Sequence, residues 1–409
     1  MSRLISFLYI KNVSQGTLLA VLSILLLSPI QAQEQTTNLS SINDIRWHGF
    51  LSQGFVYTDE NNYLGSSSNG SFKFNEAALN ASWAASTSLH LSAQVLYQQI
   101  GNVKPKGTQL DYAIMDWRAI DNFNYGAGLR IGRLKTPYGF FNETRDVAAT
   151  RRSILLPESI YIDYLRALLH SGDSLGVYGH HEVDSGTFYF SATYGKPILN
   201  QDIIHTLVQS LTQGNLEKER AGAARVSYDD GSGLWRSAVS YAKFEADFEA
   251  APGENQVGIF DGEVSIEQLL FSLEFNWQNW QLIGEYQKRG YESIGIRGLD
   301  IKTDGVGHYF QLSYDFTPAL KAYFRQDTVY QDKQLSAAAD AVDQASQGAI
   351  TACLGFDDFT GKAGETHMIY HADGVKAKRI LLVGAGDKSS FDEFALNKAT
   401  KAALKSLSN

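Results

Sequence analysis

The sequence predicts a mainly β chain: an antiparallel, up-and-down transmembrane β-barrel with about thirteen strands in view, reading as truncated, followed by a small α/β fragment. Three observations lead there. Apolar and polar residues alternate with period two over runs near the roughly 9–11 residues of a membrane strand. The connections between runs alternate between tight turns and long polar excursions, and the chain changes character after about residue 333.

The chain opens with Arg3 and Lys11 ahead of an apolar run, Leu18 to Leu27, that ends at Pro29 and the small residue Ala32. This is the pattern of an export signal peptide over residues 1–32. The run is about half of the roughly 20 residues a spanning helix needs, so a lone membrane anchor is the weaker alternative. A single cysteine, Cys353, builds no disulfide framework and is compatible with an oxidising compartment. With 21 Tyr, 22 Phe and 6 Trp in 409 residues, the aromatic load suits strands that show one face to lipid and the other to water. A net charge of −9 without a basic stripe excludes nucleic acid as a partner.

Period two is clearest over 268–277, where Leu269, Phe271, Leu273, Phe275 and Trp277 share one face and Gln268, Ser272, Glu274 and Asn276 the other. Trp280, Leu282, Gly284 and Tyr286 repeat it, as do His308 to Phe316 and Phe188 to Tyr194. Such runs give strands near 46–58, 71–83, 89–99, 109–120, 124–134, 173–183, 186–195, 220–229, 234–245, 264–277, 280–288, 305–316 and 319–330. Short connections fall at Ala84–Ser88, Asp121–Phe123, Asp184–Ser185, Asp230–Gly233, Gln278–Asn279 and Thr317–Pro318. Long ones fall at 59–70, 100–108, 135–172, 196–219, 246–263 and 289–304. An up-and-down barrel with short periplasmic turns and long outer loops produces this rhythm. A soluble periplasmic barrel or sandwich shares the alternation and stays open as a second architecture.

The third long excursion, 135–172, is dense in charge: Lys135, Arg145, Arg151, Arg152 and Arg166 beside Glu143, Asp146, Glu158 and Asp163. Its string GRLKTPYGFFNETRDVAATRRSILLPESIY, Gly132 to Tyr161, resembles the corresponding stretch of proteobacterial porins related to the phosphate-selective group. The resemblance covers roughly 40–330 and implies an outer-membrane pore for small hydrophilic or anionic solutes, surrounded by outer-membrane lipid and assembled as a homotrimer. It also implies that this third loop folds into the barrel. Lys135, Arg145, Arg151 and Arg152, with Glu143 and Asp146, are then candidate constriction residues that bias the pore toward anions. The competing reading is that the cations pair with Glu143, Asp146 and Glu158 and pin the loop.

No GxSxG, HExxH or GxxxxGK[ST] motif occurs, and His180–His181 lacks metal-ligand partners at useful spacing, so neither a catalytic residue nor a metal or cofactor is expected. After residue 333 Trp disappears, and Ala337–Ala352 carries helical spacing. A β-like run, Thr366 to Tyr370, a compact strand, Ile380 to Val383, and a helix from about Ser390 to Ser406 follow. LSAAADAVDQASQGAITACL, GKAGETHMIYHADGVKAKRILLVGAG and the closing Lys/Ala-rich helix resemble the N-terminal, non-catalytic domain of leucyl (cytosol) aminopeptidases over roughly 334–409. That family's two-metal centre lies in a separate C-terminal domain, so no catalytic residue carries over. The alternative function is therefore a peptidase-associated protein without a catalytic domain. His367 and His371 do not share a face on a strand, and Gly384-Ala385-Gly386 lacks the third glycine of a dinucleotide turn. An exported barrel joined to part of a cytosolic enzyme, with an odd strand count, is expected to be a fusion or truncation, or a pore that needs another chain to close it.

Overall fold

A computed structural model describes residues 20–24, 45–57, most of 67–330, and parts of the C-terminal segment, chiefly 364–370 and 379–384. Its main feature is one 14-stranded sheet in simple sequential order. The strands are β1 (Ala20–Ile24), β2 (Ile45–Tyr57), β3 (Ser71–Ala84), β4 (Leu89–Ile100), β5 (Val103–Asp121), β6 (Tyr125–Lys135) and β7 (Ser171–Val183). They continue as β8 (Gly186–Pro197), β9 (Asn215–Asp230), β10 (Trp235–Glu249), β11 (Gly262–Trp277), β12 (Trp280–Ile294), β13 (Ile301–Thr317) and β14 (Leu320–Tyr330). β2 to β14 are the thirteen runs that period two picks out.

The polarity of this sheet is inverted relative to a water-soluble protein. In β11, Phe271, Leu273, Phe275 and Trp277 stand exposed, whereas Gln268, Ser272 and Glu274 are buried. The same holds for exposed Leu175 and Val177 in β7 and for exposed Phe310 against buried Gln311 and Ser313 in β13. Cross-strand register lines the apolar residues up: Phe271 opposite Tyr286, Phe275 opposite Leu282, Trp277 opposite Trp280. Near the short turns the outer face becomes aromatic, with Phe188–Tyr228, Tyr228–Trp235 and Trp280–Tyr314 rings 4.8, 5.0 and 4.6 Å apart. Aromatic residues thus border the exposed apolar face near these turns.

The tight turns fall where expected. At Gln278–Asn279 the register closes from Trp277 directly onto Trp280, and Gln278 takes a left-handed φ of 52°, as a two-residue hairpin of this twist requires. The long excursions are shorter than the sequence suggests. Residues 100–108 belong largely to β5, and β12 and β13 run to Ile294 and from Ile301, leaving little of the 289–304 loop. Glu263, Glu267 and Lys302 interrupt the apolar alternation, yet the ladder runs through them, with Lys302 paired to Glu292 and Glu267 accepting from Tyr241 Oη across strands. The 196–219 excursion contains a helix, α2 (Gln201–Val208), that periodicity in strands does not reveal. Asn200 Oδ1 accepts the Ile203 N–H at 2.9 Å, and Ile203, Ile204, Leu207 and Val208 pack on Leu216, Phe244, Phe248 and Ile266. Ala20–Ile24, inside the segment read as a leader, forms β1 against β2, because an edge strand offers unpaired N–H and C=O groups to any extended apolar stretch.

The chain divides into two compact units near Val329/Tyr330. In the second, β15 (Thr366–Tyr370) and β16 (Arg379–Val383) pair antiparallel, and the GKAGET turn docks by Gly364 N–H to Gly384 C=O and Gly384 N–H to Glu365 C=O at 2.9 and 2.7 Å. Gly364 has φ +80°, and a Cβ there would lie 2.9 Å from the Lys398 side chain. Lys398, Lys401, Ala402, Lys405 and Ser406 are helical, as the closing helix requires, whereas Ala337–Ala352 lies outside the described residues.

Candidate functional site: the inward-folded third loop

The segment between β6 and β7 leaves and returns between neighbouring strands, with Thr136 N–H bonded to His170 C=O at 3.0 Å across its neck. Its strand contacts among the described residues lie on the inner face of the sheet. Its aromatics Tyr138, Phe141 and Tyr161, with Ile160, pack on Ala223, Ala242, Leu270, Ile283 and Tyr309 from β9 to β13. Five successive strands thus supply one apolar shelf for the loop.

Polar anchors surround that shelf. Buried Glu285 on β12 accepts from Tyr161 Oη at 3.0 Å, Tyr309 Oη at 2.9 Å, Ser272 Oγ at 2.6 Å and the Phe140 N–H at 3.2 Å. Burial, and then the charge of Glu285, pushes the Tyr161 phenol well above its ordinary pKa, so it remains a donor. Arg225 on β9 donates to Gly139 C=O at 2.8 Å and pairs with Glu143 at 2.6 Å. From β14, Arg325 donates to Leu155 C=O at 2.6 Å, and Asp327 accepts the N–H groups of Glu158 and Ser159 at 2.9 and 3.3 Å.

At the neck the charges concentrate. Lys135 Nζ pairs with Asp111 and lies 2.5 Å from Asp146 Oδ2 and 2.5 Å from His170 Nε2; Arg166 also pairs with Asp146. These groups are buried or nearly so. His170 ends a short helix, α1 (Arg166–His170), and burial, then the Lys135 charge, holds its imidazole well below the ordinary pKa and therefore neutral at pH 7. Asp111, Asp146 and His170 present ligand atoms within 4.8 Å of one another, the spacing a cation would use. The Lys135 ammonium already sits among them, and with Arg166 it balances both carboxylates, so the donor set fits a lysine rather than a divalent ion.

The structure brings Lys135, Glu143, Arg145, Asp146 and Arg151 together inside the sheet, while Arg152 lies outside the described residues. Each of the five is engaged by other protein groups. Arg145 is buried and donates to Tyr161 C=O at 2.9 Å; Arg151 pairs with buried Glu76 of β3 at 2.5 Å and donates to Arg145 C=O at 2.6 Å. Glu143 pairs with Arg225 rather than with a loop cation, and the Glu158 backbone binds Asp327. The partners that sequence reasoning missed are Glu76, Asp111, Arg225, Glu285, Arg325 and Asp327. Strand parity could have marked Glu76 and Glu285 as inward, but Asp111 occupies a bulge: the β4–β5 register passes from Gln94↔Tyr112 to Val95↔Leu110.

Among solved structures, a loop-deletion form of OmpT, an outer membrane protein of Vibrio cholerae, aligns with 71% of this chain and 96% of its own at 12% identity and TM-score 0.36. A mutant Rh. blastica porin aligns with the same shares and identity at TM-score 0.33. Curated relatives match over short stretches of the chain. The probable cytosol aminopeptidase of Alkalilimnicola ehrlichii is 48% identical over 75 residues, covering 18% of this chain and 15% of that protein. Its counterpart in Xanthomonas oryzae pv. oryzae is 44% identical over 78 residues, covering 19% and 16%. The chain thus spans about 15–16% of the length of the curated relatives it matches. Residues 328–409 match the cytosol aminopeptidase family, N-terminal domain, so the chain joins a segment similar to that domain to a 14-stranded antiparallel sheet.

Proposed function

We propose that the large sheet is the wall of an outer-membrane diffusion channel for small hydrophilic solutes, with the loop between β6 and β7 as its constriction. The inverted polarity of the sheet carries this reading: apolar residues line the outside over a continuous band, and buried Gln, Ser and Glu line the inside. Water on the inner face and lipid on the outer is the arrangement in which that pattern costs least. Export through residues 1–32 belongs to the same proposal.

Lys135, Arg145 and Arg151 act here chiefly as pins, since each is matched by a carboxylate or carbonyl acceptor. Their contribution to an anion bias is therefore slight. Planar-bilayer recordings of the wild-type chain and of a variant carrying Arg151→Glu and Arg152→Glu test both parts. Pinning predicts a larger, noisier conductance with little change in ion preference; reversal of selectivity would restore the arginines as selectivity residues. Absence of any lipid-dependent conductance would remove the channel reading.

Similarity of residues 328–409 to an aminopeptidase N-terminal domain favours a second reading, a peptidase-associated module. Hydrolysis of leucine anilide by the purified full chain would support it. We expect none.

A further inference from the structure

The inner face of β5 to β8, toward the tight turns, carries an inference that rests on the channel reading and names a solute class for it. Register identifies this face as the inner one. Tyr178 stands opposite Ser191, and Ser191 opposite Arg225, whose guanidinium holds the loop at Gly139. The apolar shelf that carries the loop lies on β9 to β13, so this is a different part of the wall.

Along β6 the alternation takes an uncommon form. Tyr125, Leu129 and Ile131 stand exposed on the outer face, and the inner positions are Gly126, Gly128, Arg130 and Gly132. Where the glycines leave no side chain the wall drops to backbone level, and β7 lays its rings into the gap. A Cβ on Gly126 would lie 2.4 Å from the His180 ring, and one on Gly128 2.4 Å from Tyr178 Oη. Register sets Arg118 on the far side of Gly128 and Tyr189 beside His180, which completes a shallow trough.

The polar groups of the trough are held in place. Asp116 accepts from Arg130 Nε at 2.9 Å and from Tyr178 Oη at 2.6 Å, and the Arg130 guanidinium lies 4.1 Å from the centre of the Tyr178 ring. Arg118 pairs with Asp121 at 2.8 Å. These groups remain open to solvent: the Arg118 and Arg130 side chains are 42% and 36% exposed, and Tyr189 is 43% exposed.

Two guanidiniums face two carboxylates, so their charges cancel and an inorganic ion gains little from the summed field. What the trough offers is a fixed array of donors and acceptors. A guanidinium carries five N–H groups in a rigid fork, so pairing with one carboxylate leaves others for a ligand, and the hydroxyls of Ser191 and Tyr189 both donate and accept. The exposed Tyr189 ring adds an uncharged apolar platform beside them. The matching ligand is neutral, rich in hydroxyl groups, and has a C–H face to lay on a ring.

We propose that this trough is a binding subsite on the channel wall for neutral polyhydroxylated solutes of the saccharide class. Arg118, Arg130 and Asp116 supply its hydrogen bonds and Tyr189 its platform.

The test uses the full chain refolded in micelles of a zwitterionic detergent that has no sugar headgroup, with maltose as the probe and saturation transfer from protein to maltose protons as the NMR readout. The wild type should transfer saturation. Tyr189→Ala and Arg118→Ala, both changes to exposed side chains, should each reduce the transfer several-fold, Gly284→Ala should leave it unchanged, and an equal concentration of inorganic phosphate should not displace maltose. No transfer in the wild type, unchanged transfer in either trough variant, or displacement by phosphate would overturn the inference. Maltose binding in micelles without conductance in bilayers would uphold the trough and remove the channel reading; conductance without maltose binding would do the reverse.

Discussion

Lys135 is the residue on which the neck of the loop depends. It faces two buried carboxylates, Asp111 and Asp146, that have little access to water. Lys135→Met leaves Asp111 without its ammonium partner and Asp146 with Arg166, and breaking a buried pair from one side costs roughly 3–5 kcal/mol. The expected result is a lower denaturant midpoint and rapid cleavage of the loop by protease. His170 makes the same neck sensitive to acid. Its imidazole is held neutral in the folded chain, whereas in the unfolded chain it protonates near the ordinary value of about 6.5. As pH falls below about 6.5 the unfolded state binds a proton that the folded state refuses, so stability declines toward acid. Denaturation midpoints at pH 7.5 and pH 5 should diverge for the wild type and converge for His170→Asn. Of these residues, Lys135 and Asp146 stand out in a charged string. Asp111 does not, because its inward aim comes from a bulge that breaks the very periodicity by which inward residues are recognised.

At the scale of elements, the loop lies so close to β13 that a glycine is required. A Cβ on Gly307 would sit 2.2 Å from the Ser159 carbonyl oxygen, whereas one on Gly284 would meet nothing nearer than 3.5 Å. Gly307→Val should therefore push the 157–161 turn off the wall, raising conductance and exposing Tyr161 to chymotrypsin, and Gly284→Ala should change neither. The strands themselves were legible because their middles obey one simple rule, apolar out and polar in. Their outer ends were not. Beyond the apolar band, Glu263 and Lys302 alternate with neighbours as a strand does, yet charge and glycine there look like loop. α2 is hidden for a related reason: QDIIHTLV is only eight residues long, so its apolar stripe, Ile203, Ile204, Leu207 and Val208, is too short to stand out within a polar excursion.

At the scale of the whole molecule, the channel reading makes lipid or detergent, against the exposed apolar face, part of the folded state. Transfer of the refolded chain to detergent-free buffer should cause aggregation, followed by light scattering, with retention of strand signal in circular dichroism; a monodisperse soluble chain would favour the periplasmic alternative. Trp-free, Ala-rich composition begins after about residue 333, and the two compact units divide near Val329/Tyr330. What no local pattern could convey is how the loop ties distant strands together. The Glu158–Asp327, Tyr138–Gln287 and Phe140–Glu285 bonds span 169, 149 and 145 residues. The sheet, by contrast, grows hairpin by hairpin through neighbours in sequence. Contacts of such long separation form late, after the chain has met the entropy of closing large loops. The wall should thus assemble first, wide and leaky, and narrow only in a slower phase when the loop finds its shelf. The pore would acquire its calibre as its last act of folding.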